Sequence, residues 1–444
     1  MKKLQKIIEW LFYAFIFLLP WQTRWIFEPG VWRGEYLEYQ TRSLYATQIL
    51  LFILIAASLI YFFKNGGLNK ISKKIKIKKT LIATVIVTLA LATNIYFSQN
   101  QSYSFYKLTI LGSTLAFSLL IIYLPFNKKK FCWAVISAGL IQGALAINQF
   151  FNQTVSANKW LGMAAQNPQT LGVSVVETSA GRTLRAFGAL PHPNILAGFL
   201  VIVLLFVVWQ YFEESVKNKK NILLASFITI FTALLVTFSR AAWLAFAISL
   251  IFALVMLARK NESWLKHKTS INKITVALLF ITLAFSVAKS DLVMTRLKID
   301  QRLEIKSVNE RISGYNDSWE IFKSSTWFGA GLGDYTVSLS KIHPDWRAFE
   351  LQPVHNSLLL AIIELGAITF ATIIILIALP MKKTFSKIKK RLEETDIVFP
   401  LAMIIALGVI GLFDHFLWSL YFGNLLLVFS TLLIKDTSQE KDTL

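Results

Sequence analysis

Apolar stretches long enough to cross a bilayer recur from one end of this chain to the other, and that recurrence limits the fold more than any other feature. A hydrocarbon core of about 30 Å takes about 20 residues of helix. Inside it, every backbone polar group must be satisfied within the span itself. Such segments fall at about 7–21, 44–63, 80–98, 106–125, 132–151, 190–211, 221–237, 240–258, 273–289, 356–380, 398–413 and 416–434. A soluble domain carries about 25% charged residues, whereas this chain of 444 residues carries 16%, with 55% hydrophobic residues. The expectation is an all-α integral membrane protein of about 12 transmembrane helices, one polytopic domain over 1–444.

Charge sets the expected orientation. The net charge of +21 invites a nucleic-acid reading, but the basic residues are not gathered into a patch. Of the 46 lysines and arginines, 29 fall in alternate short connections: 1–6, 64–79, 127–131, 212–220, 259–273, 381–397 and 435–444. That alternation is what the positive-inside rule produces. It puts both termini in the cytoplasm and argues against nucleic acid as a partner. The opening MKKLQKIIEWLFYAFIFLLPW has the look of a signal peptide, but no small-residue cleavage site follows, so it is read as a retained first span. The single cysteine, Cys132, rules out an internal disulfide and a cysteine-based metal site.

The opposite face differs in kind. Residues 22–43 carry Trp25, Trp32 and Tyr36, side chains suited to a membrane interface, and 152–189 are polar and contain glycine. Residues 290–355 form a large external loop near the C-terminus. Within it, VNERISGYNDSWEIFKSS reads as an amphipathic helix, with Ile312, Trp319 and Phe322 at helical spacing. FGAGLGDY cannot continue that helix, because three glycines in five residues favour a turn. It also lacks the GK[ST] ending of a nucleotide-binding loop. A second short helical piece, SLSKIHPDWRAFELQP, closes at Pro353.

Several external residues are candidates for chemistry. Arg240, in VTFSRAAWLAF, lies where a span opens. A cation there must reach water or an anion, and a guanidinium can hold a phosphate through two parallel hydrogen bonds. A simple snorkelling arginine is the bland alternative. Arg311 starts the loop helix with Tyr315 and Trp319 on its side, or else pairs with Glu310 or Asp317. Arg185, in TLRAFGALPHPN, is a third external arginine. His355, followed by Asn356 where the loop re-enters the membrane, suits a general base that takes a proton from a hydroxyl. Helix capping is the ordinary role of such a histidine. His192 and His415 sit at external helix ends as supporting groups, while His267 and His343 rank lower. No metal site is expected: there is no HExxH, and Glu28, Glu35 and Glu38 are scattered.

In order along the chain, SRAAW opening a span, R-x7-W followed by GAGLGDY, and HNSLLLAIIELG opening the next span resemble the O-antigen ligase and O-antigen polymerase superfamily of bacterial membrane glycosyltransferases. RAFGALPHPNILAGFL is similar to a stretch preceding a middle span in that family. The resemblance covers about 185–430. It implies a metal-independent glycosyltransferase of the bacterial inner membrane, with no cofactor, its active loop on the periplasmic side. The donor would be an undecaprenyl-diphosphate-linked glycan and the acceptor lipid A-core or another glycan, with membrane lipid around both. Arg240 and Arg311 would hold the diphosphate with Arg185 behind them. His355 would be the base or acceptor-positioning group, with Asn356 and His192 as further substrate contacts. A polysaccharide polymerase and a protein O-oligosaccharyltransferase share that chemistry. A transporter or lipid-linked glycan flippase is the alternative of another class, against which stands the lack of two matching halves.

Overall fold

At the centre stands a helix with no polar face. Pro193–Glu213 reads PNILAGFLVIVLLFVVWQYFE, and its whole apolar window is buried inside the protein. A helix that is hydrophobic all round belongs in a core, and this one is walled on every side by other spans. The structure, a computed structural model, describes residues 2–64, 77–299, 301–389 and 391–431. In chain order its helices are α1 (Lys2–Leu18), α2 (Ala46–Lys64), α3 (Ile77–Tyr96), α4 (Gln101–Tyr123), α5 (Lys128–Asn152), α6 (Pro193–Glu213), α7 (Lys217–Val236), α8 (Arg240–Ala258) and α9 (Asn261–Ala288). Then follow α10 (Ser290–Lys298), α11 (Arg302–Ser324), α12 (Tyr335–Ile342), α13 (Ser357–Lys389), α14 (Thr395–Phe413), α15 (Phe416–Ser419) and α16 (Tyr421–Thr431). Helices α5, α7, α8, α14 and α16 pack on α6, while α9 stands at the periphery with little of its apolar window buried.

The chain is thus an all-α polytopic membrane protein. Among the described residues, nine helices are long and apolar enough to cross a membrane. The other three expected spans are helical too, but α1 has 17 residues and apolar runs of only Val85–Tyr96 and Tyr421–Ser430 qualify in the other two. Two expectations need correction. The basic segment 259–273 is not a loop, since α9 already begins at Asn261. The expected span 416–434 is not continuous: the chain leaves helix at Leu420 and restarts at Tyr421, and residues past 431 lie outside the described part. Asn424 causes no loss there, because its Nδ2 donates to the carbonyls of Leu417 (2.8 Å) and Trp418 (3.0 Å) that the break leaves open.

The alternation of connections is visible in the contacts. At one end Lys129 pairs with Glu214 (2.8 Å) and Thr395 donates to Glu213 (2.6 Å), joining lysine-rich connections. At the other end, called the loop side below, the three long segments meet. Trp32 Nε1 donates to Trp346 O (3.1 Å), Thr23 to Trp160 O (2.6 Å), and Arg302 pairs with Glu177 (3.1 Å). The segments carry short antiparallel pairs: β1 (Arg24–Glu28) with β4 (Arg42–Tyr45), β2 (Val31–Trp32) with β3 (Glu35–Tyr36), and β5 (Val175–Thr178) with β6 (Gly181–Leu184).

The glycine-rich turn proves to be a wedge. Helix α13 breaks at Gly366, where φ is +72°. Segment 326–331 supplies the hydrogen bonds that the break frees. Ala367 N donates to Thr326 O (2.8 Å) and Ile368 N to Trp327 O (3.2 Å), while Ala330 N and Gly331 N donate to Ile363 O (2.9 Å) and Glu364 O (3.1 Å). Asn94 of α3 locks both pieces, donating to Phe328 O (2.7 Å) and Glu364 O (2.8 Å). Irregular backbone at membrane depth is tolerated only when protein satisfies it in this way. A Cβ on Gly329, whose φ is +80°, would overlap the backbone of Glu364 and Gly366. Gly329→Ala is therefore expected to cost about 3 kcal/mol, read as a lower unfolding temperature in detergent. An unchanged transition would show that the wedge relaxes freely.

Candidate functional site

The polar residues of the loop side gather where spans begin. His192 precedes α6, with Pro193 at the first helical position. Its Nδ1 accepts from Asn194 N (3.1 Å), so in the neutral ring Nε2 carries the proton and donates to Ser174 Oγ (2.8 Å). Asn194 is a bridge. Its Oδ1 accepts from Arg185 Nη2 (2.7 Å) and its Nδ2 donates to Asp414 Oδ2 (3.1 Å). Asp414 lies between α14 and α15. Its Oδ1 accepts from the backbone nitrogens of His415 (2.8 Å) and Phe416 (3.3 Å), and its carbonyl accepts from Ser357 Oγ (2.7 Å) at the start of α13. That last bond places His355, two residues earlier, beside His415: the ring centroids are 5.4 Å apart.

Burial governs the titration of this cluster. It pushes His192 down to about 3 and His415 down to about 4, with Asp414 pulling His415 the other way. His355 is also held below its ordinary 6.5 by burial, against the opposing pull of Asp414, and Arg311 adds to the depression. Asp414 itself is held below the usual carboxylate range: burial works against this, and the three imidazoles, His415 foremost, outweigh it. The histidines are therefore neutral near pH 7 and Asp414 is ionised. His355 Nδ1 is buried without a hydrogen-bond partner. A buried ring nitrogen left open in this way is suited to receive a proton or a hydroxyl.

His355, Asp414 and His415 offer ligand atoms within 4.8 Å of one another, a spacing that could hold a cation. Their existing bonds favour another use. His415 is engaged through Nδ1 to Ser419 Oγ (2.7 Å) and through Nε2 to Tyr39 OH (3.4 Å), and both oxygens of Asp414 are taken. Of the three, His355 keeps a buried ring nitrogen, Nδ1, without a partner.

The arginines form a second cluster. Phe238, with φ +50°, turns the chain between α7 and α8, so that Arg240 opens α8. Arg240 Nη1 donates to Arg296 O (3.1 Å) and its Nη2 lies 3.1 Å from Glu304 Oε2. Arg296 of α10 bonds the same carboxylate through Nη1 and Phe238 O through Nε (3.1 Å). Arg311 is half-buried, its Nε without a partner, and it acts electrostatically on both Arg240 and His355. Arg185 is placed differently from the expectation of a direct ligand. It is buried, and its Nε and Nη2 donate to Thr237 O (2.7 Å) and Asn194 Oδ1 (2.7 Å), so it braces the turn before Arg240. Burial, with Arg296 nearby, depresses it well below its ordinary value. Asn356 likewise caps α13, its Oδ1 accepting from Leu359 N (2.9 Å). Asp317 pairs with His343 (2.9 Å) rather than with Arg311.

Glu304 is buried between two guanidinium groups. Breaking such a pair from one side typically costs about 3 kcal/mol or more. Glu304→Ala is expected to destabilise the protein by that order, and added pyrophosphate to restore part of the loss. Equal stability with and without pyrophosphate would mean that the arginines do not form an anion seat.

Between these clusters and the loops lies a cavity of about 400 Å³. His192, His355, Asp414 and His415 form one wall; Tyr39, Glu38 and Arg24 face them, with Met163 and Gln166 beside. Arg24 and Glu38 are joined by two bonds of 2.6 and 2.8 Å. Segments 22–45 and 152–192 supply most of the cavity's roof, and the long loop contributes only Gln352 and His355. Arg185, Arg240 and Arg311 do not line it.

Sequence reasoning did not single out Arg296, Glu304 or Asp414, which the structure brings beside the expected residues. For Asp414 a signal existed, since DH within GLFDHFLW sets a carboxylate and an imidazole between two apolar runs. For Glu304 there was none, because its partners lie 8 and 64 residues away.

No curated protein matches the chain. Residues 224–374 match the family model Wzy_C, described as O-Antigen ligase. The matched stretch runs from within α7 to within α13 and includes Arg240, Arg296, Glu304, Arg311 and His355. Over residues 224–374 the chain is similar to the O-antigen ligase family, and the resemblance to the O-antigen ligase and polymerase superfamily read from its sequence stands on that match.

Proposed function

We propose that the protein moves a glycan from an undecaprenyl-diphosphate carrier to a hydroxyl acceptor such as lipid A-core, at the periplasmic face of the bacterial inner membrane and without a metal ion. The observation that carries this reading is His355: it lines the cavity, its Nδ1 is open, and Arg311 of the arginine cluster acts on it electrostatically. Donor and acceptor then approach from different sides. The acceptor hydroxyl attacks the anomeric carbon, its proton passes to His355, and the bond from that carbon to the diphosphate oxygen breaks with both electrons leaving on the oxygen. Arg240, Arg296 and Arg311 offset the charge that develops there. Asp414 favours the imidazolium that forms on His355. Attack opposite the leaving group inverts the anomeric centre; retention seen by NMR of donor and product would refute direct displacement.

Ligase and polymerase differ in acceptor alone. Reconstituted protein, given lipid-diphosphate-linked donor with lipid A-core in the presence of EDTA, is expected to glycosylate the core. Lengthening of the donor instead would mark a polymerase, and transfer that EDTA abolishes would contradict the metal-free reading. Movement of the carrier lipid without any transfer would favour the flippase class.

A further inference from the structure

Helix α11 is amphipathic, as its spacing predicts, but most of its apolar side chains face away from the protein. Its buried residues are Glu304, Asp317, Ser318 and Ile321. Ile305, Ile312, Tyr315 and Trp319 are 45, 55, 42 and 59% exposed, and Val308 and Phe322 are half-buried beside them. These six recur at alternating spacings of three and four, so at 3.6 residues per turn they share one flank of about 100°. Lys306, Asn309, Ser313, Asn316 and Glu320 occupy a separate, exposed polar flank. Among the described residues the helix thus has three faces: one against the protein, one polar, and one apolar and mostly exposed, with only its Phe322 edge packed on the protein.

Two further observations identify the occupant. Both ends of α11 are tied to membrane spans, by Glu304 to the first residue of α8 and by Thr326 and Trp327 to the break in α13. The helix therefore cannot stand away from the bilayer. Its apolar flank is also continuous with apolar surface at either end. Met294 and Leu297 of α10 are exposed before it; after it come exposed Trp327 and then Phe328, stacked at 4.4 Å on Phe97, where α3 leaves the membrane. Tryptophan and tyrosine within such a rim match the headgroup level of a bilayer.

We propose that the flank Ile305–Phe322 lies in the lipid of the leaflet on the loop side, making α11 an interfacial helix with its polar flank in water. This docking stands on the membrane fold alone. Its consequence rests on the transferase reading: Arg311, between Val308 and Tyr315 on the helix surface, is held at headgroup height, the level of a lipid-borne diphosphate.

The test is a depth measurement in lipid nanodiscs on a Cys132→Ser background. Single cysteines replace Ile312 and Trp319 on the apolar flank, Ser313 and Glu320 on the polar flank, and Phe280, exposed on α9, as a lipid reference. Each carries an environment-sensitive fluorophore. The labels at 312 and 319 are expected to lose fluorescence to spin-labelled lipid as the Phe280 position does, and those at 313 and 320 to aqueous iodide. Iodide access at 312 and 319 equal to that at 313 and 320 would overturn the proposal. So would shielding from both quenchers, which would mean that protein covers the flank. Neither reading requires transferase activity, so failure here leaves the proposed reaction to its own assay.

Discussion

Replacing His355 with alanine is expected to lower the rate of glycan transfer by about two to four orders of magnitude, the usual worth of a positioned general base, while the protein stays folded. His355 precedes α13 and its Nδ1 makes no hydrogen bond, so little structural support is lost with the ring. The pH profile separates a base from a mere packing residue. A base acts when neutral, so activity should rise with pH through its pKa and level off above it. Burial holds His355 below 6.5, which puts that acid limb below 6.5 as well. Asp414 is the neighbour that raises His355, so Asp414→Asn should move the limb to still lower pH. A limb that stays in place in Asp414→Asn, or a His355→Ala enzyme with full activity, would remove His355 from the proton path.

The second large effect is expected at Arg240. Loss of one preorganised donor at a developing oxyanion costs about 10²- to 10³-fold, and Arg240→Ala should fall in that range for kcat/KM. Arg240→Lys should recover only part. A lysine keeps the charge but cannot form the planar two-point contact of a guanidinium, nor hold both Arg296 O and Glu304 as Arg240 does. Full recovery with lysine would mean that a point charge suffices. Arg185→Ala is a useful contrast, because Arg240 is only half-buried, whereas Arg185 is buried and ties Thr237 O to Asn194. Its loss should lower stability together with activity, whereas Arg240→Ala should lower activity by far the larger margin.

Much of the fold was open to reading because a bilayer imposes length and polarity on each span. The span over 190–211, the polar segments on the loop side and the glycine turn all follow from local pattern. The break at Leu420 did not, since it depends on Asn424 satisfying carbonyls across the gap. The candidate site was legible where residue type and span boundary coincide, as at Arg240 and His355. It was illegible where tertiary contact assigns the role. Arg185 has the type and place of a ligand, yet folding turns it to Thr237 O and the Asn194 side chain. Glu304 looks like an ordinary first-turn carboxylate until α10 and α8 bring two arginines to it. Helix α11 shows the same limit: its 3.6-residue period announced a helix, but the burial of Glu304 and Ser318 depends on the arginine cluster and on Tyr335, which bonds Ser318 (2.9 Å).

The most direct test of the account follows the leaving group. In proteoliposomes holding a lipid-diphosphate-linked glycan, adding acceptor should release undecaprenyl diphosphate in equal amount to the glycan transferred. Release should be lost in His355→Ala and in Arg240→Ala. Glycan transfer that proceeds unchanged in both variants, or acceptor-dependent release that matches no transfer, would contradict the assignment of this site.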